Sequence, residues 1–328
     1  MRIAIVGAGG IGGFLAAALA RSGFNVGVVA RGAHLDAIQA RGLRVESTLG
    51  AFVVHVKASD RLSELGARDL LLLTFKAHQW PALLPQIAQA ARAGAILVTL
   101  QNGVPFWFTG GPALESVDPG GRIGDALAGA RILGGVVHLS GRLRSPGVVE
   151  QSGGLRYVLG DPDGTRGGDA QAVVELFRSA GLEPELDANI RRPVWGKLVN
   201  NVGLNPTSAL TRATIAPMLA DSSVREIVAG LMGEALAVGR ALGVASLDDD
   251  VQTRMGYAAR LNDVRTSMLQ DIEAGRKTEL DPILGAVLEL ATRCRIDTPL
   301  IRTIYALTRQ LEQSVLGMQA GQADRPAR

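Results

Sequence analysis

The sequence is poor in cysteine, histidine and aromatic residues, and each shortage excludes a class of protein. One cysteine, Cys294, stands among 328 residues, which excludes an internal disulfide and offers no thiolate cluster for a metal. The four histidines show no metal-ligand spacing either, so we expect no bound metal. Only 4 % of the residues are aromatic and the basic residues are scattered, which argues against nucleic acid as a partner.

Long hydrophobic runs are also missing. The longest uninterrupted ones have the length of a strand, as at residues 70–75, whereas a membrane span needs ~20 apolar residues. The amino terminus, MRIAIVGAGG, has no signal-like apolar block or cleavage site, so we expect a cytoplasmic protein without a membrane segment. The formal charge of +3 and the pI near 9.3 mildly favour anionic ligands.

A glycine-rich loop opens the chain. A short apolar run at residues 2–6 is followed at once by Gly7, Gly9 and Gly12, and apolar residues then recur at helical spacing. A strand, a G-x-G-x-x-G loop and a helix in this order predict a dinucleotide site, because bare backbone lets a pyrophosphate approach the amino terminus of the helix. The alternative is a tight turn that binds no nucleotide.

The end of the second predicted strand indicates which dinucleotide is bound. NAD-preferring proteins usually place an acidic residue there to accept from the ribose hydroxyl. Here the position is Arg31, and a guanidinium can make charge-assisted bonds to a 2′-phosphate. The sequence therefore favours NADPH, with a solvent-facing arginine as the alternative.

Two further predicted strands end in polar residues. The strand at 69–74 leads to Lys76, and the strand at 95–100 leads to Asn102. Because ligands bind at the carboxyl ends of strands in open α/β sheets, we expect both residues to face one crevice.

A long irregular stretch follows, from Val104 to about Ala130, and it contains Phe106, Trp107 and Phe108. A loop of this length in a compact domain is usually a lid or a binding loop. We expect its aromatic residues to close over the ligand cleft, and packing on the protein's own surface is the alternative.

The stretch WGKLVNNVGLNP at 195–206 has an unusual polar face. Lys197, Asn201 and Asn205 recur at i, i+4 and i+8, which places one amine and two amides in a single stripe of a helix. Asparagine is a poor helix former, so this stripe predicts a polar wall that faces a small ligand rather than an ordinary solvated surface, which is the alternative. Pro206 predicts a kink or a break.

The change from strand patterns to helical patterns divides the chain. We predict an α/β protein with a Rossmann-type dinucleotide-binding domain at 1–187, followed by an all-helical domain at 188–328. In the second domain one helix is predicted over about 250–274. Thr278 is expected to cap the next helix, with Glu279 as a structural first-turn residue, and a polar, frayed tail begins at Gly321.

Taken together, these segments resemble the ketopantoate reductase (2-dehydropantoate 2-reductase) family over roughly residues 2–310. The matching motifs are GAGGIGG at 7–13, VARGAHL at 29–35, TFKAHQ at 74–79, QNG at 101–103, NIRRPVWGKLVNNVGLNP at 189–206 and SMLQDIEAGRKTELD at 267–281. The resemblance implies NADPH-dependent reduction of a 2-oxo acid to a 2-hydroxy acid in a cleft between two domains. In this family the reaction converts ketopantoate to pantoate for pantothenate biosynthesis.

The resemblance also implies roles for particular residues. Lys197 matches the general acid, and Glu279 matches the acidic partner of the lysine and of a substrate hydroxyl. Asn201, Asn205 and Ser267 match substrate-binding positions. Lys76 and Asn102 match residues beside the nicotinamide and the substrate.

The sequence leaves some alternatives open. Val264 stands three residues before Ser267, where the family often has asparagine, so a reductase of a different 2-oxo acid is one alternative. A non-catalytic NADPH-binding sensor is another, although binding alone requires neither Lys197 nor Glu279. A monomer and a homodimer are both compatible with the sequence.

Overall fold

The computed structural model describes residues 1–165, 167–246 and 249–323. The chain divides into two compact units. Unit 1 comprises Met1–Gln101, Pro105–Gly111 and Gly121–Pro193, and unit 2 comprises Asn102–Val104, Pro112–Gly120 and Val194–Arg328. The main division thus falls after Pro193 rather than after residue 187. Two short segments that precede this division in the sequence, Asn102–Val104 and Pro112–Gly120, also belong to unit 2.

Unit 1 is built on one mixed sheet. Its strands are β1 (Arg2–Val6), β2 (Asn25–Val29), β3 (Leu43–Ser47), β4 (Gly50–Val54), β5 (Lys57–Ser59), β6 (Leu70–Leu73), β7 (Ile96–Thr99), β8 (Arg131–Ser145), β9 (Val148–Gly160) and β10 (Glu183–Leu186). Their order is β4-β3-β9-β8-β7-β6-β1-β2-β5, with β10 beside β9. The run from β8 to β5 is parallel, whereas β3–β4 and β8–β9 are antiparallel hairpins.

Helices cover both faces of this sheet. They are α1 (Gly10–Arg21), α2 (Gly32–Arg41), α3 (Trp80–Arg92), α4 (Arg122–Ala126) and α5 (Gly167–Ser179). Alternate residues of β1 enter two different cores: Ile3 and Ile5 pack with α1 and α5, and Ala4 and Val6 pack with α3 and α4. A parallel strand buried on both faces reads as a continuous apolar run, and the predicted Rossmann-type architecture is confirmed.

Unit 2 is helical. Its elements are α6 (Arg191–Thr211), α7 (Ile215–Ala220), α8 (Ser222–Ala241), α9 (Val251–Ala259), α10 (Ser267–Glu273), a π-helix (Asp281–Gly285), α11 (Ala286–Cys294) and α12 (Pro299–Ala323). Of the predicted tail, Gly321 still lies in α12, and residues 324–328 are outside the described ranges. Within those ranges, no helix combines the length and the apolarity that a bilayer crossing requires.

The prediction of one helix over 250–274 is wrong. The chain leaves helical geometry between α9 and α10, where Asn262 adopts a positive φ of 46° and its carbonyl accepts from the N–H of Ala216, 2.8 Å away. Thr266 then caps α10, because its hydroxyl accepts from the N–H of Leu269. Thr266, an N-cap residue type inside the predicted helix, is the sequence signal for this division that the prediction overlooked.

Of the kink or break predicted at Pro206, the break is wrong, because α6 continues to Thr211. Proline removes one helical hydrogen bond, yet residues 202–209 are all buried. The hydroxyl of Thr207 donates to the carbonyl of Gly203 at 2.8 Å. Burial of this turn on several sides outweighs the local preference of proline.

The side chain of Thr278 bonds to the start of the next helix, because its hydroxyl accepts from the N–H of Leu280 at 3.3 Å. The carbonyl of Glu279 accepts from the N–H of Ile283 at 3.2 Å, and Leu280 is the first helical residue. Glu279 therefore stands directly before the helix rather than in its first turn, and it is buried, with 8 % of its surface exposed.

The three aromatic residues that follow β7 in the sequence, at 106–108, pack within unit 1. Phe106 meets the ring of Trp80 edge-on at 5.6 Å, the indole N–H of Trp107 donates to Thr99, and Phe108 is 3 % exposed. These contacts correspond to the alternative in which the aromatics bury against the protein itself. The hypothesis of an aromatic lid is therefore set aside.

Candidate active site

The glycine loop of unit 1 has the close packing that a dinucleotide fold requires. Gly7 has a φ of +103°, and a Cβ there would lie 2.7 Å from the backbone of Phe75. A Cβ at Gly12 would lie 2.1 Å from the carbonyl oxygen of Gly7. Gly9 differs, because a Cβ there would meet nothing within 4 Å. The first and third glycines thus allow tight packing, and the second leaves an open face.

This open face lies at the amino terminus of α1. Gly9 is the N-cap, it offers no side chain to the first turn, and no acidic residue stands in that turn. The first N–H groups of a helix carry partial positive charge and have no partner inside the helix. The loop therefore fits a pyrophosphate.

Arg31 is the N-cap residue of α2. It is exposed and forms no ion pair with the residues that the structure describes. Its position directly after β2 is the one from which a side chain reaches the ribose of a bound dinucleotide. A guanidinium at this point fits a 2′-phosphate.

Lys76 follows Phe75, the residue against which Gly7 packs. It precedes a short 3₁₀ turn at Ala77–Gln79, where the side chain of Gln79 accepts from the N–H of Lys76 at 3.3 Å. Lys76 is half-buried. It therefore stands close to the glycine loop on the same edge of the sheet.

In unit 2, α6 is fixed by the packing of its apolar face. Trp195 is fully buried, and its indole N–H donates to the carbonyl of Ala235 in α8 at 3.1 Å. A Cβ at Gly239 would lie only 2.1 Å from the indole nitrogen. The close packing of Trp195 against α8 fixes the rotation of α6 about its axis and hence the direction in which its polar face points.

A chain of hydrogen bonds joins three of the predicted site residues. The ammonium of Lys197 donates to Oδ1 of Asn102 at 2.8 Å, and Nδ2 of Asn102 donates to Oε2 of Glu279 at 2.9 Å. The orientation of the amide follows from chemistry, because an ammonium only donates and a carboxylate only accepts. Asn102 thus connects the amine to the acid.

Burial lowers the pKa of the Lys197 ammonium to about 8, and the Glu279 carboxylate opposes this shift by its charge. The residue as a whole is half-buried, but its ammonium is enclosed by protein atoms. An amine with a pKa near the working pH is suited to give up a proton during a reaction.

The π-helix holds Asn102 in place through its backbone neighbours. The N–H of Val104 donates to the carbonyl of Pro282 at 2.8 Å. Gly103 has a φ of +83°, and a Cβ there would lie 2.5 Å from the same carbonyl oxygen. The N–H of Ala286 bonds to the carbonyl of Asp281, five residues back. This wide turn leaves the Pro282 carbonyl to the Asn102 segment, and single π turns are common at functional sites.

α12 supports the turn that carries Glu279. The carboxylate of Glu312, 9 % exposed, accepts from the N–H of Thr278 at 2.6 Å. The hydroxyl of Tyr305 donates to Asp281 at 2.8 Å. The turn is therefore held on both sides of Glu279.

The remaining predicted residues are arranged around this cluster to different degrees. Asn201 is half-buried one turn after Lys197, and Asn205 is buried one turn further. Ser267 is exposed at the first position of α10. Within the described residues, Ser267 makes no hydrogen bond to the cluster of Lys197, Asn102 and Glu279.

Sequence reasoning missed the bridging position of Asn102. It placed Asn102 at the end of a strand of the first domain, whereas the residue belongs to unit 2 and contacts both Lys197 and Glu279. It also missed Glu312, which lies on the buried face of α12. A carboxylate among the apolar residues of that face was the available signal.

The fold and this cluster define a class of protein. Unit 1 is a Rossmann-type unit with an open glycine loop, and unit 2 holds a buried ammonium bonded to an amide, which is bonded to a carboxylate. This combination is typical of a nicotinamide-dependent oxidoreductase.

Comparison with known proteins identifies the family. The protein-family model "Ketopantoate reductase PanE/ApbA" matches residues 3–164. A second family model, "Ketopantoate reductase PanE/ApbA C terminal", matches residues 189–312. The chain belongs to the ketopantoate reductase family.

Individual relatives extend over nearly the whole chain. A 2-dehydropantoate 2-reductase of Mesorhizobium japonicum is 40 % identical over 319 residues, which cover 95 % of this chain and 98 % of the relative. The crystal structure of 2-dehydropantoate 2-reductase from Geobacter metallireducens GS-15 is 31 % identical with a TM-score of 0.85, covering 94 % of this chain and 99 % of that one. A PanE/ApbA family ketopantoate reductase from Ralstonia eutropha JMP134 is 28 % identical with a TM-score of 0.84, covering 96 % and 99 %.

Proposed function

We propose that this protein is a 2-dehydropantoate 2-reductase that reduces ketopantoate to pantoate with NADPH. The hydrogen-bond chain from Lys197 through Asn102 to Glu279 carries the proposal. A protein that only bound a dinucleotide would have no use for an enclosed amine with a lowered pKa, so this cluster argues against a non-catalytic sensor.

The loop with Gly7, Gly9 and Gly12 would hold the pyrophosphate, and Arg31 would bind the 2′-phosphate. Both assignments rest on the open face at Gly9 and on the exposed position of Arg31. When bound, NADPH supplies the hydride for the reduction. Lys76 and Asn102 are assigned to the nicotinamide and the substrate by their positions in the family motifs.

Lys197 would act as the general acid. Addition of hydride to the ketone carbon moves the carbonyl electron pair onto oxygen, and this oxygen takes a proton from the ammonium of Lys197, which becomes a neutral amine. A positive donor at this point stabilises the transition state more than the ketone, because negative charge develops only as the reaction proceeds. Burial of the ammonium helps its proton to leave, since it favours the neutral amine.

Asn102 and Glu279 would keep the amine in position. The amide presents its oxygen to Lys197 and its N–H to Glu279, so the ammonium approaches the substrate from a defined direction. Glu279 would also bind a hydroxyl of the substrate. Asn201, Asn205 and Ser267 would orient the rest of the oxo acid by uncharged hydrogen bonds.

The test is NADPH oxidation by the purified protein with a panel of 2-oxo acids that includes ketopantoate. We expect ketopantoate to have the highest kcat/KM. The panel should also include oxo acids with an alkyl group in place of the ketopantoate hydroxyl. Val264, which is 40 % exposed near α10, offers an apolar side chain where the family often has an amide. If such an acid had the highest kcat/KM, the substrate assignment would be wrong and the reductase assignment would stand.

A further inference from the structure

His34 joins three separate segments of unit 1. It lies in the first turn of α2, and its ring is half-buried. Nε2 is 2.7 Å from the carbonyl oxygen of Ala8 in the glycine loop. Nδ1 is 2.9 Å from the backbone nitrogen of Gly147, in the turn between β8 and β9. One side chain therefore spans from α2 to the loop and to the hairpin turn.

The two partners determine the tautomer of His34. The N–H of Gly147 can only donate, so Nδ1 must accept and carries no proton. Nε2 therefore carries the proton and donates it to the carbonyl of Ala8, which can only accept. Burial lowers the pKa of this imidazole, in agreement with a neutral ring.

The bond to Ala8 fixes one peptide plane of the glycine loop. In a trans peptide the carbonyl of Ala8 and the N–H of Gly9 point to opposite sides, and the described chain contains no cis bond. Since the carbonyl is turned toward His34, the N–H of Gly9 is turned away from it. This N–H is the first donor at the amino terminus of α1.

The neighbouring peptides are held by the backbone. The N–H groups of Gly7 and Ala8 lie 3.1 and 3.3 Å from the carbonyl of Val29, and the N–H of Gly13 donates to the carbonyl of Gly9 at 2.7 Å. The plane between Ala8 and Gly9 lies between these anchors. Glycine tolerates either orientation of such a plane, and the space beside Gly9 is open. A side-chain bond is thus what selects the orientation.

We propose that His34 is a positioning residue for cofactor binding, which holds the Ala8–Gly9 peptide with its N–H toward the pyrophosphate. The inference rests on the proposed function, because it takes the glycine loop as the site of NADPH. With the plane reversed, the carbonyl of Ala8 would face the phosphate, and two oxygens would repel each other where a donor is needed.

The experiment compares glutamine and methionine at position 34. The amide of glutamine can accept from Gly147 and donate to Ala8, whereas methionine has similar length and makes neither bond. The dissociation constant of NADPH is measured by titration of its fluorescence. We expect His34→Met to raise it about 3- to 10-fold, the effect of one neutral hydrogen bond, and His34→Gln to restore it to within about twofold of the native value.

Steady-state kinetics separates this role from a general loss of structure. In His34→Met we expect a higher KM for NADPH, with kcat at saturating NADPH and KM for the oxo acid unchanged. His55→Ala, an exposed histidine on the same unit, is the matched control and should leave all three constants unchanged. His34→Ala and melting temperatures are measured in parallel, so that misfolding of one variant is recognised and the comparison is still made.

Two results would overturn the inference while leaving the proposed function intact. One is native affinity for NADPH in both His34→Met and His34→Ala. The other is an equal loss in the glutamine and methionine variants, which would show that the two hydrogen bonds are not what the loop requires. If the native protein bound neither NADPH nor NADH, the proposed function itself would fail.

Discussion

Replacement of Lys197 by alanine gives the most direct test of the proposed chemistry. The substitution removes the ammonium that Asn102 holds by its 2.8 Å bond. General-acid catalysis typically contributes about 10²–10⁴-fold, or roughly 3–5 kcal/mol of activation free energy. We therefore expect kcat to fall by about 10²–10⁴-fold, with NADPH affinity unchanged because the glycine loop belongs to unit 1.

The pH dependence of kcat/KM provides a second test of Lys197 as the proton donor. The proton donor must be charged, and the pKa of Lys197 is lowered to about 8. In the native protein kcat/KM should hence fall above pH about 8, and this basic limb should be absent in Lys197→Ala.

The free energy of unfolding should depend on pH in the opposite direction to kcat/KM. The pKa of Lys197 is lower in the folded protein than the ordinary 10.5 of an exposed lysine. Between these two values the unfolded chain binds more protons, so the contribution of Lys197 to the free energy of unfolding rises with pH through this window. Lys197→Ala should remove that contribution, as urea denaturation at pH 7.5 and pH 9.5 would show.

Stopped-flow and steady-state assays on the best substrate found would measure the loss. Lys57→Ala, at an exposed lysine of β5, is the control and should behave as the native protein. Turnover within about tenfold of native in Lys197→Ala would refute the assignment, since the smallest expected effect is about 10²-fold. The proton would then come from another group, such as Lys76 or water.

Three further predictions concern separate parts of the molecule. In Glu279→Gln the pKa of Lys197 should fall further, because the carboxylate that raises it is gone; the basic limb of kcat/KM should move to lower pH, and an unmoved limb would contradict the coupling. Arg31→Ala should weaken NADPH binding by about 10- to 150-fold, the value of a charge-assisted bond, and leave NADH nearly unaffected; equal native affinity for both cofactors would contradict this. The hydroxyl of Tyr157 is buried and has no hydrogen-bond partner in the described part of the chain, so Tyr157→Phe should raise the free energy of unfolding by about 1 kcal/mol; a loss of stability in urea denaturation would reveal a missed partner.

The sheet of unit 1 was predictable because burial on both faces leaves a clear record in the sequence. The fully buried strand Leu70–Leu73 is a pure leucine run, and the glycine loop directly follows β1. The hairpin of β8 and β9 was predicted only in pieces. Its strands contain Gly141, Gly153 and Gly154 at irregular pairings, and glycines in a strand mask its pattern.

The helices of unit 2 were predicted in type but not always in extent. Pro206 predicted a kink or a break, and the helix continues through it because the surrounding turn is buried. The split between α9 and α10 depends on a tertiary bond from Ala216 to Asn262, which local propensity does not encode. Local rules give the preferred conformation of a segment, and packing decides where preferences are weak.

The candidate site was predictable as a set of residues and not as a geometry. The stripe of Lys197, Asn201 and Asn205 followed from helical spacing, whereas the position of Asn102 between Lys197 and Glu279 required contacts across 95 and 177 residues. Sequence periodicity carries no information on such distances. Only the resemblance to a family brought these residues together before the structure did.

The order of the groups in this cluster explains why an amide stands at position 102. An aspartate there could accept from Lys197 but could not donate to Glu279, and it would place two carboxylates side by side, which raises the pKa of one of them. An aliphatic residue would leave the ammonium and the carboxylate each short of one partner in a buried site. Asparagine satisfies both neighbours without adding charge. The backbone bond from Val104 to Pro282 then orients this amide, so the π-helix and Lys197 both contact the same three-residue segment.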